Sequence, residues 1–101
     1  MIVVIRIENL NGRTEIGLND KNNMCIVNGT KKNVDVSKFI KEIIGLTLSW
    51  TPVMKKDNVI DGESYTVLIT NGKTEKTYVG KNAFPLNYNE FKKLISEIIY
   101  G

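Results

Sequence analysis

Residues 65–78, with the sequence YTVLITNGKTEKTY, contain the strongest indication of a fold in the chain. Apolar and polar side chains alternate before an Asn-Gly pair, and the alternation resumes after it. This arrangement favours a β-hairpin, because a type I′ turn needs positive φ at both central residues. A two-residue loop at Asn71-Gly72 sets Tyr65 opposite Tyr78. The pattern therefore predicts a hairpin whose two tyrosines form a cross-strand contact over a core.

Two further Asn-Gly pairs, Asn11-Gly12 and Asn28-Gly29, divide the first third of the chain. Apolar residues alternate on both sides of the first pair, and a short apolar run precedes the second. Both pairs have the composition of a hairpin loop. The N-terminal part of the chain is therefore expected to form several antiparallel strands before any helix.

Two segments have helical periodicity, with apolar residues recurring at intervals of three and four in residues 36–44 and 91–99. Each predicts a helix with one apolar stripe that faces a core. Gly45 is placed to end the first helix as its C′ residue.

Each predicted helix has a start signal. Asp35 and Asn87 are the expected N-caps, and Glu90 makes a variant capping box in the second helix. An apolar residue directly before each cap is expected to pack on the fourth helical residue as a hydrophobic staple. The two staple pairs are Val34 with Phe39 and Leu86 with Phe91.

A strand is predicted between the helices, over residues 46–54. It contains Trp50 and is followed by a polar loop over residues 55–62. Pro52 has no backbone N–H to donate to a ladder, so this strand is expected at a sheet edge or bent at the proline.

These elements predict a single α+β domain over residues 1–101. We expect two layers, with one mainly antiparallel sheet of about five to seven strands and both helices on one of its faces. The order is β-hairpins, α, β, β-hairpin, α. The resemblance of residues 11–15 to residues 71–75 suggests a ββα pseudo-repeat with halves 1–45 and 46–101, although hairpin turns and capped helices also converge on similar sequences.

The charge of the chain does not favour nucleic acid as its ligand. The net charge is +3, but the 14 basic residues include only two arginines and are divided evenly between the two halves of the chain. Arginine is the side chain best suited to bidentate phosphate and guanine contacts. Scattered lysines and exposed aromatic residues nevertheless leave weak nucleic-acid binding as the alternative function. Tyr65 and Tyr78 would serve it only if they were exposed on a sheet face, and Val67 and Ile69 on the same face fit a core better.

Enzymatic and metal chemistry have little support in the sequence. The chain has no histidine, one cysteine (Cys25), and no phosphate-binding loop or nucleophile motif, so we predict no catalytic residues, no cofactor and no metal site. Asp57, Asp61 and Glu63 form an acidic group in the polar loop, but their spacing does not match an EF-hand.

No apolar run is long enough to span a membrane, and the apolar N-terminus lacks the features of a signal peptide. We therefore expect a cytoplasmic protein that does not bind membranes. By elimination, the sequence favours a small, non-catalytic protein-interaction module, such as an inhibitor, an immunity or anti-defence factor, or a regulatory subunit. Its partner is expected to be another protein.

The expected partner-binding surface is the edge strand and the loop that follows it, since an edge strand can pair with another chain. The candidate contact residues are Trp50, Lys55, Lys56, Asp57 and Asp61. Core packing is the alternative role for Trp50.

Residues 48–99 resemble a small domain of uncharacterised proteins from low-G+C Gram-positive bacteria. The resemblance rests on Trp50, on Asp61-Gly62 with the Tyr65 strand, and on Gly80-x-Asn82-x-x-Pro85-x-Asn87-x-x-x-Phe91. It implies a bacterial or phage protein, and it implies no activity and no functional residue.

Overall fold

A computed structural model describes residues 1–57 and 62–101 of the chain. Within these ranges the chain forms seven strands and two helices. In chain order they are β1 (Ile2–Asn9), β2 (Gly12–Asn19), β3 (Met24–Val27), β4 (Thr30–Lys32), α1 (Val36–Thr47), β5 (Val53–Lys55), β6 (Ser64–Thr70), β7 (Glu75–Lys81) and α2 (Tyr88–Tyr100).

The strands form one sheet in the order β4-β3-β2-β1-β6-β7-β5. Every adjacent pair is antiparallel except β5 and β7, which run parallel. Alternate residues of the long strands are buried, and the buried stripes of both helices join the same core. The predicted α+β fold, with one mainly antiparallel sheet and its helices, is confirmed.

The core lies between one sheet face and the two helices. It is rich in β-branched and aromatic side chains, which suit the pleated surface of a sheet. Its fully enclosed members include Ile5, Val67, Tyr65, Ile43 and Phe91. Cys25 is also fully buried, so it is a small apolar core residue as expected, and burial raises the pKa of its thiol against the opposing effect of Lys32.

The register of the β6–β7 hairpin differs from the predicted one by two residues. Tyr65 lies opposite Gly80 rather than Tyr78, and the loop comprises residues 71–74. The Asn71 side chain accepts hydrogen bonds from the backbone N–H groups of Lys73 and Thr74, and these bonds stabilise the longer loop. Because a shift of two residues keeps every side chain on its own face, both tyrosines are still buried.

The first hairpin shows a shift of the same size. Asn9 pairs with Gly12, so the loop is Leu10-Asn11 rather than Asn11-Gly12, and the Asn9 side chain accepts from the N–H of Asn11. The β3–β4 hairpin follows the prediction, with positive φ at Asn28 and Gly29 and a two-residue loop.

The segment between the helices differs most from its prediction. Helix α1 continues through Gly45 to Thr47, whose hydroxyl donates to the carbonyl of Ile43. Gly45 is therefore not the C′ residue, and the strand predicted over residues 46–54 is reduced to Val53–Lys55. The buried side of the helix continues to Thr47, and this tertiary packing outweighs the low helix propensity of glycine. The expected edge position is confirmed, because β5 is the last strand of the sheet.

Candidate functional site

A groove of about 380 Å³ lies beside the edge strand β5, between the connection that leaves α1 and the connection that enters α2. We call it the edge groove. It is lined by Ser49, Trp50, Thr51, Met54, Phe84, Pro85, Leu86 and Asn87. Most of these side chains are apolar or aromatic, which is typical of a surface that receives apolar side chains.

Trp50 forms the inner wall of the edge groove. Its side chain is only 5% exposed and lies in edge-on contact with the rings of Tyr65, Tyr78 and Phe91. Its indole N–H donates a 2.7 Å hydrogen bond to Oδ1 of Asn87. Trp50 is therefore a core residue, and it supports the groove instead of presenting its ring to solvent.

Asn87 has a different role from the predicted one. It begins α2, but its side chain makes no capping hydrogen bond. Its amide instead accepts from Trp50 and donates to the carbonyl of Leu46 at 2.8 Å. The predicted capping box is therefore wrong, because the indole N–H of Trp50 and the carbonyl of Leu46, both in partly buried hydrogen bonds, take this side chain as their partner.

Leu86 is fully exposed at the outer rim of the groove. The predicted staple between Leu86 and Phe91 is therefore wrong, since Phe91 is enclosed in the core and Leu86 points away from it. Burial of a leucine side chain is worth about 1.5–3 kcal/mol, so a leucine left wholly in water is a candidate contact residue. The sequence alone assigned Leu86 to the helix start and missed this role.

Phe84 forms the remaining apolar wall. Its ring stacks on Tyr88 at 4.6 Å between centroids and lies near Tyr65 at 6.3 Å, yet the side chain is 39% exposed. The Tyr88 stack fixes its orientation, so Phe84 presents a rigid aromatic edge at low entropic cost. In the sequence, only the number of aromatic residues in this half of the chain indicated an aromatic cluster that includes Phe84.

The outer edge of β5 lies alongside the groove. Parallel pairing places Val53 opposite Val79 and Lys55 opposite Lys81. In this pattern the N–H and C=O groups of Val53 and Lys55 point away from β7. Within the described residues, no strand lies on that side of β5.

The edge also carries positive charge. Lys55 and Lys81 are direct neighbours in the β5–β7 register, and Lys56 follows at once. Asp57 lies 3.6 Å from the Lys55 ammonium, and both side chains are largely exposed. The structure thus brings Lys55, Lys56 and Asp57 together at one end of the edge strand, whereas Asp61 lies outside the described residues.

A second polar cluster lies at the far side of Phe84. Glu63 accepts hydrogen bonds from Asn9, Tyr88 and Lys92, with the Lys92 ammonium at 2.8 Å. Burial raises the pKa of Glu63, but the hydrogen bonds from Lys92, Tyr88 and Asn9 outweigh it and the net pKa is lowered. Burial and the Glu63 contact both raise the pKa of Tyr88. The Glu63 carboxylate is thus occupied by three donors of the chain itself. We interpret the cluster as a structural link that joins β1 and α2 to the residue before β6.

The acidic residues near the polar loop and the two strand tyrosines are alternative candidate sites, and within the described residues they form neither a metal site nor a base-stacking surface. Across residues 1–57 and 62–101, no group of three cysteine or carboxylate side chains is placed to hold a metal ion. Glu63 forms an ion pair with Lys92, and Asp57 forms one with Lys55. The two carboxylates therefore do not point into a common site. Tyr65 and Tyr78 are buried and cannot stack on nucleic-acid bases.

Comparison with known proteins adds no relative. The chain matches no protein-family model, and neither the curated proteins nor the solved structures compared with it give a significant match. In the described residues, neither helix has the length and apolar character needed to cross a bilayer.

Proposed function

We propose that this protein is a non-catalytic protein-interaction module, which binds an extended segment of another protein along β5 and in the edge groove. The observation that carries the proposal is Leu86, a fully exposed leucine on the rim of an apolar groove. The groove lies next to β5, whose outer edge pairs with no strand of the described residues. An extended segment added to an exposed strand gains affinity from backbone hydrogen bonds and specificity from alternate side chains.

The backbone of β5 defines how such a segment pairs. The outward N–H and C=O groups of Val53 and Lys55 supply two donors and two acceptors. Met54, between them, lines the groove. Side chains of the bound segment therefore alternate between the groove and the opposite face of the sheet.

The two sides of the segment have different requirements. On the groove side, Phe84, Leu86 and the edge of Trp50 favour apolar residues. On the other side, Lys55 and Lys81 are like charges in direct register, which is unfavourable. Asp57 supplies one counter-charge, beside Lys55, so a further counter-charge is needed at Lys81. Acidic side chains in the partner supply that counter-charge, so the expected partner segment alternates apolar and acidic residues.

A selection from a random peptide library tests this specificity directly. The purified protein is immobilised, peptides are selected from a displayed library, and the affinity of the enriched peptides is measured by titration calorimetry. We expect enriched sequences in which apolar and acidic residues alternate. We also expect the amides of Val53 and Lys55 to become protected from hydrogen exchange when such a peptide binds.

Leu86 and Leu10 form a matched pair for the control. Leu10 is 75% exposed in the β1–β2 loop and takes no part in the edge groove. Leu86→Asp should weaken peptide binding at least tenfold, since it removes an apolar contact and places a charge against the apolar side chains of the segment. Leu10→Asp should leave the affinity unchanged. Equal effects of the two substitutions, or no enriched peptide, would refute the proposed site.

A further inference from the structure

The face of the sheet that points away from the helices contains a central apolar row. In the strand register, Ile26, Gly17, Val4 and Leu68 lie side by side across β3, β2, β1 and β6. Ile26 and Val4 are 42% and 37% exposed, although both lie in the middle of regular strands. We call this surface the open face.

Next to this row lies a neutral network of charges. Arg6 contacts Glu15 at 3.1 Å, and Arg13 contacts Glu8 at 3.4 Å and Glu15 at 3.3 Å. These are the only two arginines of the sequence, and both are balanced by carboxylates on the same face. The centre of the open face therefore has no net charge, in contrast to the lysine-rich edge at β5.

We infer that two copies of this chain associate through their open faces, with a two-fold axis parallel to the strands and midway between β1 and β2. Stacked sheets pack about 10 Å apart with their strands nearly aligned, which permits this axis. In an isologous interface both copies use the same surface, so every residue must be compatible with the residue of the second copy that faces it. This inference concerns a different surface from the edge groove and does not depend on the proposed function.

The charges satisfy that requirement. The axis exchanges the two strands, so a residue on β1 faces the residue of the second copy that corresponds to its own cross-strand partner on β2. Arg6 then lies above Glu15 of the second copy, and Glu8 lies above Arg13. Each ion pair within a chain is thereby extended by an ion pair between chains, and no like charges meet.

The apolar row is also self-complementary about this axis. The same axis sets Leu68 above Ile26 of the second copy and Val4 above Gly17. A Cβ atom built at Gly17 has no neighbour within 4 Å, so this glycine leaves a notch on the open face. The exposed Val4 side chain of the second copy has the size to fill that notch.

Analytical ultracentrifugation of the wild type and two glycine variants tests the inference. We expect a wild-type species of twice the chain mass over a wide range of protein concentration. Gly17→Lys should give monomers only, because it fills the notch and adds a charge to the apolar row. Gly45→Lys is the matched control: this glycine also has no neighbour within 4 Å of a built Cβ, but it lies on α1. It should remain dimeric.

A charge exchange provides the second test. Arg6→Glu should weaken the dimer, because the carboxylate introduced on one copy then faces Glu15 of the other. The double variant Arg6→Glu with Glu15→Arg should restore the dimer, while circular dichroism confirms that each variant is folded. A monomeric wild type at all concentrations would overturn the inference, and so would a Gly17→Lys variant that remains dimeric.

Discussion

Gly80 is the residue that lets Tyr65, the largest fully buried side chain, pack across the sheet. A Cβ atom at this position would lie 1.9 Å from the ring of Tyr65, which is directly opposite on β6. Gly80→Ala should therefore lower the free energy of unfolding by about 2–3 kcal/mol through overpacking. Gly45→Ala, where the added Cβ meets nothing within 4 Å and lies within α1, should instead raise it by about 0.5–1 kcal/mol. Urea unfolding measures both, and equal losses would refute this packing.

Tyr65 and Tyr88 should respond in opposite ways to the loss of a hydroxyl group. The buried Tyr65 hydroxyl has no hydrogen-bond partner among the described residues, whereas the Tyr88 hydroxyl donates to Glu63. Tyr65→Phe should raise the free energy of unfolding by about 1 kcal/mol, because it removes an unsatisfied polar group. Tyr88→Phe should lower it by about 1.5–3 kcal/mol, since a hydrogen bond to a charged acceptor is lost. Chemical unfolding of the two variants in parallel decides, and a Tyr65→Phe variant less stable than the wild type would contradict the first expectation.

At the level of elements, Asn87 connects the start of α2 to the segment that leaves α1. Asn87→Ala leaves the Trp50 N–H and the Leu46 carbonyl without this partner, so we expect a loss of about 2–4 kcal/mol. Asp35→Ala removes only a helix cap, a bond to the N–H of Lys38, and should cost about 1 kcal/mol. Thermal unfolding of the two variants measures both losses of stability. A smaller loss for Asn87→Ala than for Asp35→Ala would show that the hydrogen bonds of Asn87 contribute little to stability.

Most of the elements were predictable, but the registers of two of the three hairpins were not. Alternation identifies strands because side chains of a strand point to opposite faces, and the helical stripes identify α1 and α2 for the corresponding reason. In two hairpins, hydrogen bonds from loop backbone N–H groups to the side chains of Asn71 and Asn9 stabilise a different loop. The strand register of each hairpin therefore differs from the predicted register by two residues. Such bonds depend on side-chain rotamers in the turn, which periodicity does not report.

The proposed binding surface was predictable only in part. The proline in residues 46–54 indicated an edge strand, and the lysines that follow it, Lys55 and Lys56, lie at that edge. Leu86 and Asn87 were assigned to the start of α2, because their local pattern matches a staple and a cap. The hydrogen bonds of Asn87 depend on Trp50 and Leu46, which are about forty residues away in the sequence and adjacent only in the folded chain. The full exposure of Leu86 likewise follows from the folded chain and not from its local pattern.

For the molecule as a whole, Glu63 should make stability depend on pH. Its pKa is lowered in the folded state, so its contribution is present above the pKa of the unfolded chain and is lost as the pH falls through the folded pKa. The wild type should therefore lose stability on acidification below about pH 4.5, near the ordinary pKa of glutamate. Glu63→Gln should lose less over the same range. Urea unfolding at a series of pH values measures the two slopes, and parallel slopes would exclude Glu63 as their cause.

The most direct test of the proposed function is photo-crosslinking in the cells that make the protein. A photoreactive amino acid is placed at position 86 in one variant and at position 10 in another, and the adducts are identified by mass spectrometry. We predict one discrete protein adduct from position 86 and none from position 10, and the captured protein, once purified, should bind the wild type but not Leu86→Asp. The same adducts from both positions, or no adduct from position 86, would contradict the edge groove as a binding surface.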